Sequence, residues 1–129
     1  MGETLAKITI APLTNRKRKI IRALVDTGAT YTMLPRKVLK SLGVKEVQRI
    51  TVQLADGRLA ERDLGNAMLM LEGRTVANPV VFGEEDDAII IGLVTLESCG
   101  LTVDPIRRKL LPLKAVHQFL SAYKKQHSR

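Results

Sequence analysis

Apolar and polar residues alternate near the start of the chain with the two-residue period that is typical of β-strands. This alternation covers residues 4–10 (TLAKITI), and an apolar run covers residues 20–25 (IIRALV) before an Asp-Thr-Gly turn. Helix signals follow, because Pro35 suits a first helical turn and Gly43 suits the left-handed position after a last turn. The pattern therefore predicts two strands and then a short helix.

The middle of the chain predicts further strands that are joined by tight turns. Within residues 49–65, apolar alternation leads to an Asp56-Gly57 turn, which is a strong hairpin signal because glycine accepts a positive φ. Two more strands are expected within residues 66–83, on either side of a Glu-Gly turn. Pro79 predicts that the second of these strands lies at a sheet edge or starts late, because proline has no N–H to donate.

The last part of the chain predicts a buried strand, a β-hairpin and two helices. Residues 88–92 (AIIIG) form a continuous apolar run that is typical of a strand covered on both faces. A short helix is expected over residues 93–100, and residues 101–104 are expected to pair with 107–113. Residues 114–126 predict an amphipathic C-terminal helix. Its apolar positions are Val116, Phe119, Leu120 and Tyr123. The predicted architecture is mostly β, with short helices and this C-terminal helix.

Composition supports one domain with an aliphatic core. The 129 residues fit a single domain, and their 45% apolar content is enough to bury a hydrophobic core. Aromatic residues are only 3%, so valine, isoleucine and leucine must supply most of the packing. The single cysteine, Cys99, cannot form an internal disulfide. Its apolar neighbours predict a buried thiol, and the count indicates either a reducing compartment or a protein that is indifferent to redox conditions.

The net charge of +8 is unevenly distributed along the chain. Basic residues cluster at residues 16–19 (RKRK) with Arg22 nearby, and again from Arg107 to the end. An acidic segment, residues 84–87, is expected to be a solvated loop. Such blocks predict solvated faces first and polyanion binding second. The basic segments lack the interleaved aromatic residues of a single-strand binder, so nucleic acid is the less favoured partner.

Neither a membrane span nor a metal site is expected. The opening MGETLAKITI lacks the apolar run of a secretory signal, and no apolar stretch approaches the ~20 residues of a membrane span. We therefore expect a soluble, cytoplasmic protein without a membrane partner. His117 and His127 have no cysteine or acid at ligand spacing, and the acidic segment lacks the pattern of a calcium loop.

Three segments together resemble one enzyme family. The segment LVDTGATYTMLP resembles the active-site signature of the retropepsin-like aspartic proteases, and AIIIGLVTLESCG resembles the second part of that signature. Between them, VQLADGRLAERDLG lies where the family has a flap, which is a hairpin that closes over the substrate. The three parts occur in the family's order, and the match runs from about residue 4 to about residue 112.

The resemblance implies a retropepsin-like half-barrel over residues 1–113 and aspartic endopeptidase activity. The basic, amphipathic tail helix over residues 114–129 is predicted from its own pattern and departs from the short viral members of the family. Asp26 would be the catalytic carboxylate, and Thr27 and Gly28 would support it. The residues expected to contact substrate are Ala29, Thr30, Ala55, Asp56 and Gly57, and those expected to support the site are Ile91 and Gly92. The substrate would be an extended peptide or protein segment, and no cofactor would be needed.

The single Asp-Thr-Gly predicts a homodimer. Peptide hydrolysis without a metal or a nucleophilic side chain needs an activated water, which two carboxylates sharing one proton can provide. With one such motif in the chain, the second carboxylate must come from another subunit across a two-fold axis. Many viral members carry an acid and an arginine, as an ion pair, at the positions of Thr30 and Leu93. This dimer must therefore be held in another way.

Two alternatives to a peptidase stay open at the level of the sequence. The first is a retropepsin-like domain that binds peptides without cleaving them. The second is a basic nucleic-acid-binding module in which Asp-Thr-Gly is only a turn. Salt-dependent binding through the basic segments would identify the second alternative.

Overall fold

A computed structural model describes residues 2–113 and 124–126 of the chain. In chain order, its strands and helices are β1 (Leu5–Ala11), β2 (Lys19–Val25), β3 (Thr32–Pro35), α1 (Arg36–Ser41), β4 (Glu46–Gln53), β5 (Leu59–Leu71), β6 (Arg74–Gly83), β7 (Ile90–Ile91), α2 (Leu93–Cys99), β8 (Leu101–Asp104) and β9 (Lys109–Pro112). Strands predominate and the helices are short, as the sequence predicts.

The strands form one large sheet that closes on itself. Seven strands follow the order β1-β2-β7-β3-β6-β5-β4, and β1 also pairs with β5. The β1–β5 pairing makes a barrel of six strands, and β4 remains outside it, paired only with the first half of β5. β4 and this half of β5 form a projecting hairpin over residues 46–65, called the β4–β5 hairpin below. The mostly β half-barrel predicted from the sequence is confirmed.

The barrel interior is filled almost entirely by aliphatic side chains. In β1, Ile8 and Ile10 point inward and are fully buried, whereas Leu5 and Lys7 point outward and are exposed. This alternation is the two-residue period seen in the sequence. Phe82 is the largest side chain among those that are fully buried. Valine, isoleucine and leucine do supply most of the packing around it.

The segment after the Asp-Thr-Gly motif begins as a strand and becomes a helix only later. The sequence pattern places Pro35 in a helical turn, but Pro35 ends β3 with an extended backbone at φ −59° and ψ 133°. β3 pairs with β6 on one side and contacts β7 on the other, and three of its four residues are buried. These long-range pairings override the local helix signal. The helix signal at Gly43 fits, because that residue has φ +82° just after α1.

Two predictions about the middle strands are wrong. The strands expected on either side of Gly65 are one strand, β5, of 13 residues. A Cβ at Gly65 would collide with the carbonyl oxygen of Lys45, so this glycine marks a close backbone contact instead of a break. Pro79 neither delays β6 nor places it at an edge. It is tolerated because β3 pairs only with residues 80–83, so the earlier part of β6 is bonded to β5 alone.

The C-terminal predictions divide at the limit of the described residues. The short helix α2 ends at Gly100, which has φ +65°, and β8 pairs with β9 as expected. Cys99 is buried, and this burial raises the pKa of its thiol. The predicted tail helix lies mostly outside the described residues. Its only described residues, 124–126, are helical and exposed. Among the described residues, no helix is both long and apolar enough to cross a membrane.

The acidic segment at residues 84–87 is not simply a solvated loop, which corrects the expectation from the sequence. The carboxylate of Asp87 accepts hydrogen bonds of 2.7 and 3.0 Å from the guanidinium of Arg62 in β5. These side chains are only 9% and 15% exposed. Glu85 and Asp86, in contrast, are exposed. The sequence could not indicate this pairing, because Arg62 is 25 residues away and only the barrel brings the two together.

A second ion-paired group holds the base of the β4–β5 hairpin against α1. Arg36 in α1 lies over the ring of Phe82 and pairs with Asp63 at 2.6 Å and Glu84 at 3.1 Å. It also reaches Glu46 at 3.4 Å, at the start of β4. The hydrogen bond from Arg36 is the main reason that the pKa of Asp63 is lowered. The hairpin base is therefore tied to the barrel by charged groups from both of its strands.

We expect Asp87→Asn to reduce the free energy of unfolding by about 2 kcal/mol, because Arg62 would keep its charge without its partner. The hydrogen bond from Arg62 is the main cause of the lowered pKa of Asp87 in the folded protein. The resulting stabilisation is present above the ordinary carboxyl pKa of about 3.9 and is lost as the pH falls through the lower folded value. Urea unfolding from pH 3 to pH 7 measures both effects.

The matched control for this prediction is Asp86→Asn, which makes the same chemical change at an exposed position of the same loop. It should change stability by less than about 0.5 kcal/mol. Equal effects of the two substitutions would show that the Asp87–Arg62 pair does not stabilise the fold.

Candidate active site

The position of the Asp-Thr-Gly motif is set by the pairing of two parallel strands. β2 and β7 run parallel, and the N–H of Leu24 donates to the carbonyl of Ile89 at 2.9 Å. One step further, the N–H of Asp26 donates to the carbonyl of Ile91 at 3.0 Å. β2 ends there, and Thr27 and Gly28 emerge into solvent. The two apolar runs that the sequence singles out thus place Asp26 at the mouth of the barrel.

The loop holds the Asp26 carboxylate in a defined orientation. The N–H of Gly28 donates to Oδ1 of Asp26 at 2.9 Å, and the N–H of Ala29 donates to the Asp26 carbonyl at 3.1 Å. A Cβ at Gly28 would lie 3.2 Å from the same Oδ1, which is tighter than an ordinary contact. Glycine therefore lets the backbone approach the carboxylate closely. The other carboxylate oxygen of Asp26, Oδ2, accepts no hydrogen bond within this loop.

The first residues of α2 hold the Asp26 loop in place by backbone hydrogen bonds. The N–H groups of Leu93 and Val94 donate to the carbonyls of Ala29 and Thr30, at 2.8 and 3.0 Å. A Cβ at Gly92 would lie 2.5 Å from the carbonyl carbon and oxygen of Tyr31. Only glycine lets the two chain segments come this close. Ile91 and Gly92 are therefore placed as backbone supports of the Asp26 loop, where the sequence resemblance puts them.

Two buried threonines, which the sequence analysis did not identify, bridge the same segments. The N–H of Gly92 donates to Oγ1 of Thr32 at 3.0 Å, and Thr32 shares a hydrogen bond of 2.5 Å with Oγ1 of Thr95. Both threonines are fully buried. A polar residue within the apolar run of β3 was the available signal, but its partner 63 residues away could not be inferred.

A groove of about 450 Å³ lies between the Asp26 loop and the tip of the β4–β5 hairpin. Six of the predicted site residues line it: Asp26, Gly28, Ala29, Thr30, Ala55 and Gly57. Two others do not. Thr27 is exposed beside the groove, and the carboxylate of Asp56 faces Arg58, accepting a 3.0 Å bond from its N–H and a 2.6 Å bond from its Nε.

The groove is mostly uncharged and has a hydrophobic side that the sequence analysis did not predict. The residues that form this side are Tyr31, Met33, Val52, Leu54, Val81 and Ile90. They come from separate strands and from the hairpin, so their common position depends on the barrel. Among the described residues, Asp26 is the one carboxylate that lines the groove. The groove is thus suited to a neutral, extended chain with apolar side chains.

The basic segment at residues 16–19 lies away from this groove. It leads into β2 and ends at the first residue of that strand, whereas Asp26 follows the strand's other end. Its residues are exposed, and they make no ion pair within 4 Å in the described part of the chain. His117 and His127 lie outside the described residues. In residues 2–113 and 124–126, no three histidine, cysteine or acidic side chains gather in a way that could hold a metal ion.

Comparison with known proteins adds one finding to this geometry. The model of a family described as aspartyl protease matches residues 11–95. This range contains the Asp26 loop, the β4–β5 hairpin and Gly92. A search of curated proteins gives no match.

Proposed function

Because this chain belongs to the aspartyl protease family, we propose that it is an aspartic endopeptidase that works as a homodimer. The observation that carries this proposal is the position of Asp26, which lines an open groove under a projecting hairpin. Each chain supplies one carboxylate to its groove, and the loop that bears it is exposed at Thr27 and Gly28. An exposed loop of this kind can meet its own copy across a two-fold axis.

In the proposed mechanism, the two Asp26 carboxylates share one proton. The ionised carboxylate takes a proton from water while the water oxygen attacks the carbonyl carbon of the scissile peptide bond. The protonated carboxyl donates its proton to the carbonyl oxygen, which gives a neutral tetrahedral intermediate. When this intermediate collapses, the protonated carboxyl gives its proton to the leaving nitrogen as the carbon–nitrogen bond breaks, and the ionised carboxylate takes the proton of one of the two hydroxyls. The products are a carboxylic acid and an amine, and the dyad again holds one proton.

The β4–β5 hairpin would cover the substrate. Its tip is a tight turn in which the N–H of Gly57 donates to the carbonyl of Leu54 at 2.9 Å. Because this turn is internally bonded, the tip can move as a unit over a peptide that lies in the groove. An extended peptide suits such a site, because its backbone can hydrogen-bond to the hairpin while alternate side chains enter the apolar side.

A domain that binds peptides without cleaving them would use the same groove. The two readings differ in the fate of a bound peptide, so the decisive assay is cleavage of a diverse peptide library, analysed by mass spectrometry. The endopeptidase reading predicts internal cleavage at apolar residues by wild type. Binding without any product at micromolar enzyme would favour the peptide-binding domain.

We expect the pH dependence of kcat/KM to be bell-shaped, with its maximum below pH 7. A pair of carboxylates that must hold one proton works only between its first and second titration steps. The measurement is peptide cleavage from pH 3 to pH 9, with circular dichroism at each pH to separate acid unfolding from the loss of activity. A profile that stays flat from acid to strongly alkaline pH would contradict the shared proton.

A further inference from the structure

Two exposed leucines lie beside the Asp26 loop, on the surface that must face a second subunit. Leu93 is 39% exposed and Leu5 is 52% exposed. The N–H of Leu93 donates to the carbonyl of Ala29, within the loop itself. Leu5 lies opposite Leu24 in the β1–β2 ladder, only two residues before Asp26. Both leucines are therefore fixed by backbone bonds at the edge where the loop emerges.

The residues that meet at the start of α2 carry no charge. Thr30 and Leu93 lie side by side, because the N–H of Val94 donates to the carbonyl of Thr30, and neither side chain carries a charge. In the described part of the chain, the ion pairs join groups of the hairpin base, the hairpin tip, α1, the acidic segment and the β8–β9 turn. None of them is placed at the edge of the Asp26 loop. Exposed charged side chains do flank the leucines, at Glu3, Lys7 and Glu97, but the leucines are the groups there that lose apolar surface if a second chain covers them.

We infer that Leu93 and Leu5, from two separate elements next to the Asp26 loop, form apolar contacts with a second copy of the chain and so hold the two Asp26 loops together. The inference rests on the proposed function, because the site is incomplete without the second carboxylate. Burial of each leucine removes apolar surface from water. A two-fold axis repeats every contact, so one substitution changes the interface at two places. This contact takes the place of an ion pair and should be insensitive to salt.

The test compares Leu93→Asp with a control substitution of an exposed leucine elsewhere in the full-length chain. The control is Leu13→Asp, which makes the same change at a leucine that is 55% exposed in the connection between β1 and β2, at the opposite end of these strands from Leu5 and Asp26. Sedimentation equilibrium gives the dimer dissociation constant, and peptide cleavage per chain is measured over the same concentrations. We expect Leu93→Asp to raise the dissociation constant by about 100-fold, a factor of about ten at each of its two positions. Leu13→Asp should change it less than about threefold.

Further variants keep the inference open to refutation if Leu93→Asp does not fold. Leu93→Met should preserve the dimer, whereas Leu5→Asp should weaken it by at least about tenfold. An unchanged dissociation constant in folded Leu93→Asp would overturn the inference. So would a lower melting temperature at every concentration without a change in dimerisation, because Leu93 would then pack within its own chain.

The outcome also separates this inference from the proposed function. If Leu93→Asp dissociates the dimer and the monomer still cleaves peptides at the wild-type rate, the interface is supported and the shared dyad fails. If the dimer dissociates and cleavage falls in proportion to the dimer fraction, both are supported. A wild-type chain that stays monomeric at all concentrations would overturn the interface.

Discussion

Replacing Asp26 with asparagine is expected to reduce kcat for peptide cleavage by about 1,000-fold or more. Asparagine keeps the shape of the side chain and can still accept the 2.9 Å hydrogen bond from the N–H of Gly28. It cannot take a proton from water or hold the proton that the dyad shares. The fold and the dimer should therefore be kept while the chemistry is lost. Cleavage of a fluorogenic peptide by purified wild type and variant measures the effect.

A dimer in which two copies are joined by a flexible linker makes this test sharper. Wild type joined to wild type should be active, and wild type joined to Asp26→Asn should lose about 1,000-fold in kcat, although one Asp26 remains. Asp86→Asn is the matched control, with the same change at an exposed position. Half of the wild-type activity in the mixed dimer would mean that each Asp26 works alone, which the shared-proton mechanism excludes.

Replacing Gly92 with alanine is expected to reduce both stability and activity, by an effect on the backbone. The added Cβ would lie 2.5 Å from the carbonyl of Tyr31 and 2.9 Å from the carbonyl oxygen of Thr30. The start of α2 and the Asp26 loop must then separate, which weakens the bonds that orient the loop. We expect a loss of about 2 kcal/mol in the free energy of unfolding. A displacement of about 1 Å at the carboxylates should also lower kcat by about 100-fold.

Gly73→Ala separates the two parts of this effect. Gly73 has φ +74° in the turn between β5 and β6, so alanine is strained there, but no atom lies within 4 Å of the added Cβ. This variant should lose about 1 kcal/mol of stability and keep its kcat when folded. Urea unfolding and steady-state kinetics on both variants give the comparison. A folded Gly92→Ala with wild-type kcat would show that the contact behind the loop does not position Asp26.

The sequence predicts best the local features that are determined by neighbouring residues in the chain. The apolar run before Asp26, the turn at Gly57 and the left-handed residue Gly43 all depend on a few consecutive residues. The mostly β class follows from alternation, and six of the expected site residues do line one groove. The order of the three motifs in the sequence is enough to indicate the family, and the match to the aspartyl protease family model agrees with it.

The features that the sequence did not predict depend on contacts between distant segments. β3 is a strand because β6 and β7 bond to it, although its end carries a helix signal. The pair of Asp87 and Arg62 shows the same limit, because its members are brought together only when the barrel closes. Asp56 shows a different limit of sequence-based prediction. Its position at the turn is predictable, but its carboxylate accepts a hydrogen bond from Arg58 and does not line the groove.

The distance between the two Asp26 carboxylates in a crystal structure of the full chain bound to an uncleavable peptide tests the central claim most directly. The account predicts a two-fold axis between two chains, one peptide per dimer, and carboxylate oxygens about 3 Å apart beside the bond that replaces the scissile amide. The contradicting result is a peptide held by one chain alone, with no second Asp26 carboxylate within about 6 Å of the first. That distance is the reach of one bridging water.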